Sequence, residues 1–159
     1  MQYAAYNLWA NQQLVEKINN LHHKLPHTEV VSSFSSLHLT LKHLKEVELI
    51  WWERMRLTEL ALPLPEDTST TAEIGKQLLD LSKQWKDWID KSTNAAFEHE
   101  FVYRNSKKEQ FKQPVFQMLL HLFNHQNYHR GQIVTIMRQL GVEQIPATDF
   151  IVWSRRKSK

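Results

Sequence analysis

LLHLFNHQNYHRGQI, residues 119–133, sets three histidines at intervals of four, His121, His125 and His129, among apolar residues at helical spacing. With Val115, Leu119, Leu122, Ile133, Ile136 and Leu140 as one stripe, the segment predicts a helix from Pro114 to the capping Gly141. On a wheel advancing about 100° per residue from Val115, His129 falls at about −40°, inside the stripe. His125 falls at about −80°, on its edge, and His121 at about −120°, outside it. The spacing puts neighbouring imidazoles about 6 Å apart along the axis, close enough to share one ion at about 2.0–2.1 Å. His121 and His129 are about 12 Å apart along the axis, too far for one ion to take all three readily. Such a pair is either incidental or a pair of ligands. Inward placement favours ligands, because a buried imidazole needs partners for both nitrogens.

Outward from this helix, three more long helices are expected. The first runs from about Gln2 to His23, with Pro26 beyond its end. The second runs from about Ser36 to Thr58, before Pro63 and Pro65. The third opens on the capping box Thr70-Thr71-Ala72-Glu73 and reaches about Ala96. Between it and the histidine helix, FEHEFVYRNSKKEQFKQ (97–113) changes to alternation and reads as a β-hairpin or extended loop. Thr148-Asp149 caps a last short turn carrying Phe150 and Trp153. Only three glycines and five prolines in 159 residues disfavour a sandwich or barrel. The expected fold is all-α, a four-helix bundle with a short extended segment before helix four, as one domain over residues 1–159.

Composition excludes several function classes. There is no cysteine, so disulfides, thiolate nucleophiles and cysteine-bound zinc are absent, and any thiol must come from outside. The charge of +3 is mild and concentrated in the tail Arg155-Arg156-Lys157-Ser158-Lys159, which offers no case for nucleic acid. MQYAAYNLWANQQL is unlike a secretory signal, and no apolar run approaches the length of a membrane span. A cytoplasmic protein with no membrane partner is expected. No nucleophile elbow, phosphate-binding glycine loop or H-E-x-x-H motif competes with the histidines.

A third ligand must come from elsewhere in the chain. His22, His23 and His27 lie near a helix end and read as solvated, and His99 lies in the extended segment. On helix two, with Leu37 at zero, His43 falls at about −120°, in a row with Val47 and Ile50, while His38 falls at about +100°. Glu48 falls at about +20°, inside the row of Leu37, Leu41, Leu44, Trp51 and Met55. An inward carboxylate needs a partner. It is either an acceptor behind a metal ligand or one half of a pair with an arginine. Tyr128 and Arg130 flank His129 and read as helix-surface residues, with substrate binding as the alternative.

Four segments in order resemble one family: YNLWANQQL (6–14), SFSSLHLTLKHLKEVELIWWERM (33–55), LLHLFNHQNYHRGQI (119–133) and PATDFIVW (146–153). The chain is similar to the DinB-like family, small DinB/YfiT-like helical metalloenzymes unrelated to the lesion-bypass polymerase of the same name. The third segment fits the family's H-x-x-x-H-R-G-Q pattern. The resemblance implies a metal triad at His43, His125 and His129. It leaves Glu48, His121, Tyr128 and Arg130 as candidates for supporting or substrate-binding roles. It also implies a long crossover between helices two and three, and a homodimer.

Three neutral imidazoles leave a divalent ion open to a further ligand, which is a catalytic rather than a structural coordination. Zinc or nickel is expected, with iron or manganese as alternatives. The chemistry implied is transfer of a low-molecular-weight thiol such as bacillithiol to a small-molecule substrate. The alternatives are metal-dependent hydrolysis and a non-catalytic, stress-related metal-binding protein.

Overall fold

The computed structural model describes residues 2–58 and 64–156, so Pro63 and the end of the basic tail lie outside the described residues. The chain is mostly helical, with one small antiparallel sheet. Four long helices dominate: α1 (Gln2–Asn19), α2 (Leu37–Met55), α3 (Thr71–Lys91) and α5 (Val115–Gln139). Shorter elements are a 3-10 turn at Leu25–His27, α4 (Asn94–Glu98), β1 (Glu100–Arg104), β2 (Gln110–Pro114) and α6 (Phe150–Arg156).

Local chemistry sets the ends. Ser36 caps α2 by accepting from the Leu39 amide. Thr70 and Glu73 form the expected capping box of α3. Gly141 takes a φ of 73° and its amide donates to Arg138 O, closing α5 in the left-handed conformation that glycine accepts without strain. Three helices are shorter than their sequence periodicity predicts, among them α2, which ends at Met55 rather than near Thr58. α1 stops at Asn19 rather than near His23, where the Asn20 side chain bonds back to Glu16 O. α3 stops at Lys91, and Ser92-Thr93 breaks it from α4. Extended backbone at both residues separates two runs that helical spacing alone would join. Residues 97–113 do contain a hairpin, in which Phe101 faces Gln113 and Tyr103 faces Phe111. Asn105 builds its turn, its Oδ1 accepting from the Lys107 and Glu109 amides.

The long helices pack α1 on α3, α3 on α2, α2 on α5 and α5 on α1. Their directions follow from the pairs that touch. Glu48 bonds Ser82 and Trp52 packs on Trp85, so α2 and α3 are parallel. In the crossover segment before α3, Asp67 pairs with Lys45 of α2. In contrast, His43 meets His125 and Trp51 meets His121, so α2 and α5 are antiparallel.

The core falls into two main apolar clusters. One joins Leu14, Ile18, Leu41, Leu44, Leu78 and Ile133. The other joins Ala4, Trp51, Trp85, Phe101, Leu119 and Leu122. Between them lies a buried polar layer of Asn7, Asn11, Glu48, Ser82, Gln126 and Arg130. Burying such groups is costly unless they are hydrogen-bonded; here Asn7, Asn11, Glu48, Ser82 and Arg130 bond to one another, and Gln126 donates to Leu44 O. Among the described residues no helix is long and apolar enough to cross a membrane.

Candidate metal centre

Antiparallel packing of α2 on α5 brings His43 against His125 and His129. Their ring centroids lie 4.9 Å and 4.6 Å from that of His43, and His125 and His129 are 4.4 Å apart. One ring nitrogen from each lies within 4.8 Å of the others. His43 Nε2 and His125 Nε2 are 3.0 Å apart. Two ligand nitrogens on one tetrahedral ion would sit about 3.3 Å apart, so the pair needs little adjustment to share one.

The electrostatics agree with that geometry. Burial, with the neighbouring imidazoles, pushes the pKa of both His43 and His125 down to about 4. Burial also lowers that of His129, against a hydrogen bond from Gln132 that raises it. All three are therefore neutral near pH 7, the form that binds metal. His129 Nδ1 lies 2.7 Å from Gln132 Oε1, and Gln132 Nε2 donates to Ser33 Oγ at 2.8 Å. That chain makes Nδ1 the protonated nitrogen and leaves Nε2 free for a ligand role, the usual support for a metal-binding histidine. His125 Nδ1 is buried with no hydrogen-bond partner among the described residues, and it is the other ring nitrogen, Nε2, that faces His43. Phe34, from the loop before α2, stacks on His43 at 4.3 Å. The donor set thus fits a divalent cation.

Beyond His125 the site opens into a cavity of about 670 Å3. Val47, Ile50, Trp51 and Arg54 of α2 wall it, with His121 and His125 of α5, Asn105 and Ser106 of the hairpin turn, and Leu64 of the crossover. The volume suits a small organic molecule.

The family model described as the DinB family matches residues 1–156. The chain belongs to the DinB family. DinB-family relatives agree with the match along the chain. The protein named Protein DinB from Bacillus subtilis (strain 168) is 29% identical over 153 residues, covering 91% of this chain and 87% of its own length. Two solved DinB-like structures share the fold. One, from Bacillus subtilis, has a TM-score of 0.68 at 13% identity, over 94% of this chain and 99% of its own. The other, from Bacillus cereus ATCC 10987, has a TM-score of 0.57 at 18% identity, over 87% and 89%.

The DinB fold separates the four supporting candidates. His121 stays beside the site, its ring 6.0 Å from His125 and 5.4 Å from Trp51, on the cavity wall. Burial and the Arg54 charge lower its pKa. Tyr128 is 63% exposed and packs edge-on against His129. Glu48 does not reach the histidines. It is fully buried and accepts from Asn7 Nδ2 at 3.1 Å and Ser82 Oγ at 2.9 Å. Burial pushes its carboxyl up to about 8, against the pull of Ser82, Asn7 and Arg130. Among the described residues no ion pair joins Glu48 to an arginine; Asn7 lies between it and Arg130, donating to Glu48 and accepting from Arg130. Arg130 is 2% exposed, not on the helix surface, and its Nη1 donates to Asn7 and Asn11. On the wheel Arg130 falls at about +60°, beside the apolar stripe, so its inward side was readable, but its acceptors were not, because α1 supplies both. Gln132, Phe34 and Ser33 escaped the sequence reading. Gln132 stands three residues after His129, within reach of its ring on the same helix face, and that spacing was the available signal.

Proposed function

We propose that this DinB-family chain is a metal-dependent transferase of a low-molecular-weight thiol, built as a four-helix bundle. Its ion is bound by His43, His125 and His129. One observation supports the proposal: three neutral imidazoles converge, one of them, His125, lines a cavity, and among the described residues no unpaired carboxylate lies beside them. Among the described residues, Glu46 on the wall pairs with Lys42, and Glu48 is engaged in the core. Hydrolysis ordinarily wants a base next to the attacking water, whereas a soft thiol needs mainly a cation that keeps its charge.

A divalent ion, zinc or nickel by preference, supplies Lewis-acid chemistry that lowers the pKa of a thiol or of water. The protein does the rest. The neutral histidines leave the ion's double charge undiminished, and Gln132 fixes the His129 ring. The cavity orients the small-molecule acceptor. His121, neutral and on the wall, receives the proton that the thiol sheds. The same placement of His121 serves a hydrolase, which is the second reading. A row of exposed apolar residues, Phe116 and Leu120 beside the cavity walled by Phe97, Leu119 and Phe123, supplies a surface for homodimerisation.

The test adds small thiols, bacillithiol first, to metal-loaded protein with an electrophilic acceptor and follows conjugation. Conjugation above the uncatalysed rate, abolished by His129→Ala, is the expected result. Metal-dependent ester or amide hydrolysis without conjugation would install the hydrolase. Neither activity, with metal still bound, would leave a non-catalytic metal-binding module. Leu120→Glu should convert a dimer to a monomer in sedimentation.

A further inference from the structure

We infer that Arg54 is the anion-binding end of the cavity that begins at His125, so that the small molecule handled there carries a carboxylate. This rests on the proposed reading of the histidines as a working metal centre, and it adds the class of ligand.

The position of Arg54 is fixed by aromatic rings. Its guanidinium carbon lies 4.7 Å from the centroid of Trp51 and 5.4 Å from that of Tyr103. Trp51 in turn packs on His121, and His121 lies beside His125. Arg54, Trp51, His121 and His125 thus follow one another along one cavity wall. A guanidinium stacked on rings keeps its N–H groups for acceptors in its own plane, where a carboxylate makes two parallel hydrogen bonds.

Among the described residues no carboxylate pairs with Arg54. Glu46, on the same wall, pairs with Lys42 at 3.8 Å. Glu53, its chain neighbour, pairs with Arg56 at 3.4 Å. Asp67 of the crossover pairs with Lys45. Among the described residues Arg54 has ring contacts but no ion pair or hydrogen bond. Arg104 and Lys108 line an adjoining cavity of about 540 Å3 that also includes Arg54, which makes that end of the site cationic. Burial works against the Arg54 charge, and among the described residues no carboxylate offsets that penalty. A cation partly withdrawn from water and left unpaired beside an open cavity is a cost that an arriving anion relieves. The plain alternative is an arginine serving only to cover two rings. In that case anions are indifferent to it.

A carboxylate could sit on the thiol or on the acceptor, and two titrations of the cobalt-loaded protein separate these. The first uses succinate, which has no thiol, followed by calorimetry. Arg54→Met should weaken succinate binding about tenfold or more, the worth of a charge-assisted pair, and Arg54→Lys should weaken it less. The second compares mercaptosuccinate with 2-mercaptoethanol through the thiolate-to-cobalt absorption band. An advantage for mercaptosuccinate that disappears in Arg54→Met places the carboxylate on the thiol. Equal binding of the two thiols, with succinate still dependent on Arg54, places it on the acceptor. Circular dichroism and a full cobalt load show whether each variant is folded. No succinate binding, or equal binding to wild type and Arg54→Met, overturns the inference. Arg54-dependent succinate binding with neither thiol reaching the cobalt would keep the anion subsite and remove the thiol-transfer reading instead.

Discussion

His43 Nε2 and His125 Nε2 meet at 3.0 Å across the α2–α5 contact, although 82 residues separate them in the chain. Two neutral imidazoles this close have room for one proton or one cation between them. The relationship depends on the antiparallel packing of the two helices and on nothing local to either histidine.

Metal content should follow the triad and ignore the next histidine along α5. Alanine at His43, His125 or His129 should remove most bound zinc or nickel in elemental analysis, whereas His121→Ala should retain it. Gln132→Leu should leave the ligands in place but cut metal affinity by about 10–100-fold, the usual effect of losing the group behind a ligand. Equal metal loss in His121→Ala would mean a different set of ligands.

Acid should destabilise the metal-free protein across a defined range. The pKa of His43 and of His125 falls from 6.5 to about 4 on folding, because burial disfavours the imidazolium. A base with a depressed folded pKa binds fewer protons folded than unfolded, so its contribution is complete above pH 6.5 and is lost as pH falls through about 4. Melting temperature should drop over that interval, and His43→Gln with His125→Gln should flatten the drop. An unchanged slope in the double variant would mean that other groups govern acid stability.

Arg130 should matter more for folding than for metal. It is buried, bonded to Asn7 and Asn11, and coupled electrostatically to Glu48. Arg130→Met removes the donor to Asn7 Oδ1 and Asn11 Oδ1, and leaving these buried acceptors unpaired costs about 1–3 kcal/mol each. Urea unfolding should register a loss of that order. Adding Asn11→Leu should recover part of it, because one acceptor left without its donor is then gone. If the two losses simply add, the groups do not act as a pair.

Gly75 of α3 packs directly against Val15 of α1. A Cβ there would lie 2.8 Å from Val15 Cγ1, inside van der Waals contact. Gly75→Ala gains helix propensity but overpacks the core, so a net loss of about 1–3 kcal/mol is expected. Val15→Ala in the same chain should return part of it by making room. A stabilised Gly75→Ala would show that Val15 gives way without strain.

Much of this protein is legible in one dimension. The long helices, the Thr70–Glu73 capping box, the Gly141 stop and the hairpin after α4 each follow from periodicity or from bonds within a few residues. His125 and His129 share a helix face for the same reason, since their spacing alone makes them neighbours. His43 could be placed in an apolar row, but only the family resemblance joined it to the other two. Tertiary structure decided the rest. A helix wheel says which residues point the same way and not what they meet. Glu48 therefore lies among Asn7, Ser82 and the Arg130 charge rather than behind a ligand, because α2 presents that face to α1 and α3 and the His43 face to α5. Arg130 is buried because two asparagines more than a hundred residues earlier accept its protons. The cavity exists only where α2, α5, the hairpin turn and the crossover meet. Local order is fixed by interactions a few residues long, which the sequence displays. A site built from four separate segments is fixed by packing, which appears only once the chain has folded.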